Sequence, residues 1–87
     1  MILNDLFATI KARKTANINE SWTMKLLSEG PEKCAEKFGE EAIEAIIEAV
    51  KGDKKALTLE AADVLYHLLV MLAAADVELN DVMLELE

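Results

Sequence analysis

The sequence predicts an all-α fold: a small bundle of four to five helices, completed by dimerisation. Three observations carry this. Ala, Leu, Glu, Lys and Met, all strong helix formers, dominate the composition. Three Gly and one Pro are too few for the turns of an all-β fold. Apolar residues recur at helical spacing, as at Leu3, Leu6, Phe7 and Ile10. At 87 residues the chain is read as one domain, 1–87, with no repeat, linker or low-complexity segment.

Punctuation divides the chain. The first helix runs from about Leu3 to Lys14. Thr15 to Ser21 is polar, with Asn17, Asn19 and Ser21 as turn or cap residues. A short helix over Trp22 to Ser28 ends at Gly30. Pro31 suits the first position of the third helix. That helix continues to Lys51 and stops at Gly52, a residue favoured just past a helix end. Asp53 is placed to cap a fourth helix from Lys54 to about Ala75. Asp76 to Asn80 turns the chain, and Asp81 to Glu87 starts a last helix.

Composition narrows the function. Seventeen acidic and nine basic side chains give a formal charge of −8, against a general nucleic-acid binder, which needs a basic face. Hydrophobic residues at 53% mark a folded chain. Cys34 is the single cysteine, so neither an intrachain disulfide nor a multi-thiolate zinc site is possible. The first fourteen residues do not read as a signal peptide. The longest apolar run, Leu68 to Ala75, falls short of the roughly 20 residues of a membrane span. A soluble cytoplasmic protein is the expectation.

The third helix has two faces. At ~100° per residue, Phe38, Ala42, Ile43, Ala45, Ile46, Ile47, Ala49 and Val50 cover an arc of roughly 200°. Lys33, Lys37, Glu40, Glu41, Glu44, Glu48 and Lys51 fill the other side. So wide an apolar arc calls for two neighbours, one from another subunit. The fourth helix is apolar apart from Thr58, Glu60, Asp63, Tyr66 and His67, and reads as buried almost all round. Leu65, Leu68, Leu69 and Leu72 are expected on a subunit interface, since soluble monomers rarely expose such a patch.

Glu60, Asp63 and His67 fall within an arc of roughly 60°. Buried unpaired acids are costly, and the helix offers no Lys or Arg between Ala56 and Ala75. The short Gly52–Asp53 turn makes the third and fourth helices antiparallel. Glu44 lies eight residues before Gly52 and Glu60 eight after it, so both stand at about the same level, roughly 12 Å from the turn. Glu41, Glu44, Glu60 and Asp63 then converge as an all-oxygen site for a hard cation, Mg²⁺ or Mn²⁺. The competing reading is a set of salt bridges to Lys or Arg from other elements. His67 reads as an interior histidine that orients a carboxylate or binds water, not as a ligand. A di-iron centre would need Glu-x-x-His pairs, and the residue three after Asp63 is Tyr66.

Glu40-Glu41-x-x-Glu44 followed by Glu60-x-x-Asp63 resembles the EExxE…ExxD signature of the MazG-like, all-α nucleoside-triphosphate pyrophosphohydrolases. The flanks SWTMKLLSEGPEKCAEKFGEEAIE and EAADVLYHLLVMLA are similar to the two blocks of the phosphoribosyl-ATP pyrophosphohydrolase family, with Trp22 for the usual Tyr and Cys34 for an aliphatic residue. The resemblance implies Mg²⁺-dependent hydrolysis of phosphoribosyl-ATP to phosphoribosyl-AMP and pyrophosphate, the second step of histidine biosynthesis, by a homodimer. On that reading Glu41, Glu44, Glu60 and Asp63 are metal ligands. Glu40, projecting about 100° from Glu41, is a supporting residue or proton acceptor. Lys25, Lys33 and Lys37 are candidates for substrate phosphates, with Arg13 and Lys14 weaker ones. A house-cleaning (d)NTP pyrophosphohydrolase and a non-enzymatic helical dimerisation module are the alternatives.

Overall fold

Pro31 and Gly52 bracket one of the two long helices of the computed structural model, which describes residues 2–14 and 22–87. Five helices follow in order: α1 (Ile2–Lys14), α2 (Trp22–Ser28), α3 (Pro31–Lys51), α4 (Lys54–Ala74) and α5 (Leu79–Glu85). No strand occurs among the described residues, so the all-α expectation holds. The polar stretch Thr15 to Ser21, read as turn and cap residues, lies outside the described residues.

The expected punctuation operates. Gly52 takes φ 78°, a left-handed conformation that glycine adopts without a Cβ penalty. Its N–H donates to the Glu48 and Ala49 carbonyls, and the Asp53 N–H also reaches Glu48. Asp53 then opens α4 by accepting from the Ala56 N–H at 3.0 Å. Turn and cap together fold α4 back along α3 in the most extensive helix contact of the chain. The last helix starts two residues earlier than expected, at Leu79. Glu78 precedes it without a side-chain cap, and the burial of Leu79 anchors that end.

The core is eccentric. Phe7 and Ile10 from α1, Leu26 from α2, Cys34 from α3, Leu69, Val70 and Ala73 from α4 and Leu79 from α5 form one buried cluster. It grips the start of α3 and the end of α4. Lys14 ties α1 to that end, donating to the Ala73 carbonyl at 2.7 Å and pairing with Asp76 at 2.5 Å. A cation there also suits the negative end of the α4 dipole. The Cys34 thiol donates to the Leu26 carbonyl, and burial pushes its pKa up, so it sits as a packed, protonated side chain.

Two burial expectations are corrected. α4 is not buried all round: His67, Leu69, Val70 and Ala73 are, but Leu59 is 62% exposed and Leu65 46%. Its fully buried residues all fall in its second half. Leu69, expected on a subunit interface, is 1% exposed and belongs to the chain's own core. On α3 the wide apolar arc is open: Ile43, Ile46, Ile47 and Val50 are all exposed. By length and composition alone α4 is long and apolar enough to cross a membrane, although its longest uninterrupted apolar run is only Leu68 to Ala75. Its Glu60 and Asp63 instead meet an acid of α3.

Candidate functional site

The acids meet where α3 and α4 lie side by side. One carboxylate oxygen from each of Glu41, Glu60 and Asp63 falls within 4.8 Å of the others. Glu41 and Glu60 are half-buried, and Asp63 is exposed. Glu41 comes from α3, and the other two stand one turn apart on α4, as the antiparallel turn requires. The Oε2 atoms of Glu41 and Glu60 are buried and accept no hydrogen bond among the described residues.

The electrostatics are those of negative charge confined in partly apolar surroundings. Burial, then the adjacent Glu44 carboxylate, pushes the Glu41 pKa from 4.5 to about 7. Glu60 is pushed up by burial and by the charge of Glu44. No Lys or Arg pairs with Glu41, Glu60 or Asp63 among the described residues, so the salt-bridge reading finds no partner there. Lys37 feels the charge of Glu41, but its ammonium pairs with Glu40 at 3.2 Å and lies 5.8 Å above the Trp22 ring. That hydrogen bond to Glu40 also raises the Lys37 pKa.

The other expected site residues divide. Glu44 is exposed and stands outside the 4.8 Å group, yet its carboxylate acts on both Glu41 and Glu60 by side-chain hydrogen bonding and by charge. Glu40 is exposed and tied to Lys37. Lys33 pairs with Glu36 at 3.4 Å, and Lys25 is exposed on α2. Lys14 is engaged at the far end of α4. That end also holds a cavity of about 190 Å³ lined by Phe7, Lys11, Ala73 and Val77, with its lysines paired to Asp76 and Glu78.

His67 lies beneath the acids. It is buried, with Nε2 4.0 Å from Glu41 Oε1 and Nδ1 without a partner among the described residues. Burial, then the charge of Lys37, holds its pKa below the ordinary histidine value. The Tyr66 ring meets the imidazole edge-on at 4.9 Å, and the Tyr66 hydroxyl hydrogen-bonds Thr23 of α2. The sequence carries no local signal for that last bond, which joins residues 43 apart.

An all-oxygen trio with buried, unpartnered oxygens suits a hard divalent cation. A family model described as phosphoribosyl-ATP pyrophosphohydrolase matches residues 3–87. The chain belongs to the phosphoribosyl-ATP pyrophosphohydrolase family. A protein of Roseobacter denitrificans named phosphoribosyl-ATP pyrophosphatase is 76% identical over 87 residues, 100% of this chain and 83% of its own length. One of the same name from Ruegeria pomeroyi is 73% identical over 85 residues, 98% of this chain and 81% of its own. A third, from Jannaschia sp., is 73% identical over 85 residues, covering 98% and 83%. The family expected from the EExxE…ExxD pattern and its flanks is therefore the right one, and with it the hydrolase class.

Proposed function

We propose that the chain hydrolyses phosphoribosyl-ATP to phosphoribosyl-AMP and pyrophosphate, the second step of histidine biosynthesis, with Glu41, Glu60 and Asp63 holding Mg²⁺. The observation that carries the metal reading is the trio of convergent carboxylate oxygens, to which no Lys or Arg is paired among the described residues. Mn²⁺ suits the same donors. When bound, the metal neutralises phosphate charge and acidifies water for attack on a phosphorus.

The chain's own residues then have separable tasks. Glu41 and Glu60 supply partly desolvated carboxylates, whose affinity for a cation is strengthened by their mutual repulsion. Asp63 offers an exposed oxygen on the solvent side, where a triphosphate arrives. Glu44 adds negative charge at the rim, as a further ligand or as an acceptor for a proton from water. Glu40 keeps the Lys37 ammonium at the edge of the acids, where it can meet a phosphate oxygen. Lys33 and Lys25 are left for the more distant ribose phosphate.

The active form is read as a homodimer. Ile43, Ile46, Ile47 and Val50 on α3 and Leu59 and Leu65 on α4 are exposed in one chain, a larger apolar surface than soluble monomers usually carry. A second copy related by two-fold symmetry would cover them. Histidine biosynthesis and the −8 charge fit a cytoplasmic enzyme without nucleic-acid partners.

The deciding experiment is product analysis with phosphoribosyl-ATP, ATP and dNTPs side by side in Mg²⁺. Phosphoribosyl-AMP and pyrophosphate from the first alone supports the reading. Equal or better turnover of dNTPs would replace it with house-cleaning hydrolysis.

A further inference from the structure

We propose that His67 is a positioning residue for Glu41, holding the Oε1 side of that carboxylate through Nε2 so that the group faces the acidic centre in one orientation. The inference rests on the metal reading of that centre.

A buried imidazole needs a reason. His67 is 5% exposed, and an unpartnered polar atom in such a place costs about 1–3 kcal/mol. Leucine or phenylalanine would fill comparable space without that cost. No hydrogen bond among the described residues accounts for Nδ1. Among the described residues the polar partner Nε2 faces is Glu41 Oε1 at 4.0 Å, an ion-pair distance and not a hydrogen bond. The ring is itself held: Tyr66 packs edge-on against it at an interplanar angle of 77°, and Thr23 of α2 fixes the Tyr66 hydroxyl. A chain of contacts therefore runs from α2 through α4 to the α3 carboxylate. His67 is also four residues after Asp63, on the same side of α4, so it sits under the centre without competing for it. Drawn in by the small shift that closes this gap, a neutral imidazole would donate from Nε2 and constrain Glu41 without removing its charge, as neighbouring groups do for metal-binding carboxylates.

The test compares Mn²⁺ binding, followed by electron paramagnetic resonance without substrate, in the full chain and three variants. Glutamine places its amide nitrogen near the position of Nε2, asparagine near that of Nδ1. His67→Gln should keep Mn²⁺ affinity within about threefold, while His67→Asn and His67→Phe weaken it by about 10-fold or more. The metal-free Tm of His67→Phe should hold or rise, because an unpartnered polar atom is gone. Wild-type affinity in His67→Asn and His67→Phe would overturn the proposal, as would equal impairment of the Gln and Asn variants. Should His67→Phe fail to fold, the Gln–Asn contrast decides alone. A wild-type chain that binds no Mn²⁺ overturns the metal reading itself, a result distinct from a tight-binding wild type with tight-binding variants.

Discussion

Lys37 pairs with Glu40 and not with Glu41, although the two acids are adjacent in sequence. The helix turns about 100° between them. One acid therefore meets a cation, while the next faces α4 and joins two further carboxylates. One residue step along α3 thus separates an ion-paired carboxylate from one that faces other carboxylates.

Removing one charge from the trio should abolish turnover and leave the fold intact. Glu41→Gln and Asp63→Asn are each expected to lower kcat/KM by about 100-fold or more, the scale of losing one electrostatic anchor of a transition state. The metal-free Tm should hold or rise, since repulsion is relieved. Thermal melts and steady-state kinetics on the same preparations check both. A variant with normal Mg²⁺-dependent hydrolysis would remove that residue from the site.

Metal-free stability should fall as pH rises through the Glu41 transition. The carboxyl titrates at 4.5 ordinarily and at about 7 in the fold. Below pH 4.5 it is protonated in both states and costs nothing. Between the two values the folded chain keeps a proton that the unfolded chain has released, so stability declines with pH until the whole penalty is present above 7. Discounted for its partial exposure, this amounts to about 1 kcal/mol, or roughly 4–8 °C in Tm for a domain of this size. The difference in Tm between wild type and Glu41→Gln, measured at pH 5 and pH 8, isolates the effect. Saturating Mg²⁺ should restore stability at the higher pH, because it binds the folded form.

Lys37→Met should act on substrate, not on metal. Its ammonium stands beside Glu40 over the Trp22 ring. KM for phosphoribosyl-ATP is expected to rise by about 10-fold, worth roughly 1.4 kcal/mol, with Mn²⁺ affinity held or improved. An unchanged KM would leave Lys37 as a partner of Glu40 alone.

Ile46→Glu and Leu69→Ala should fail differently. Leu69 is core, and its truncation is expected to cost about 2–5 kcal/mol. Ile46 is 60% exposed in one chain, so a charge there should leave the helical signal and dissociate the dimer. Light scattering and circular dichroism separate the two outcomes. An active wild-type monomer at micromolar concentration would sink the dimer reading.

The ends of α2, α3 and α4 were legible because Gly30, Pro31, Gly52 and Asp53 act locally, each through its own backbone preference or side chain. The start of α5 was not, since packing of Leu79 sets it and no capping side chain marks it. Counting residues from the turn placed Glu44 level with Glu60, and its charge does bear on Glu60. Glu44 stands outside the tight trio but within side-chain hydrogen-bonding reach of Glu41 and Glu60. The burial of α4 was overestimated. Composition reports how much apolar surface a helix has, not which part of it the same chain can reach.

The eccentric core has a consequence for how the molecule breathes. The cluster around Leu69, Val70 and Ala73 clamps one end of the α3–α4 hairpin, while the acids lie toward the loosely covered end. Amide protons along α4 should therefore exchange in a gradient, slowest near Val70 and fastest before Leu65. The catalytic acids would then sit on the more labile stretch, and their alignment would strengthen or slacken with whatever lies over Ile46, Val50 and Leu59. With the proposed second copy as that cover, dilution alone, with no change in sequence or solvent, would loosen the geometry of the acids.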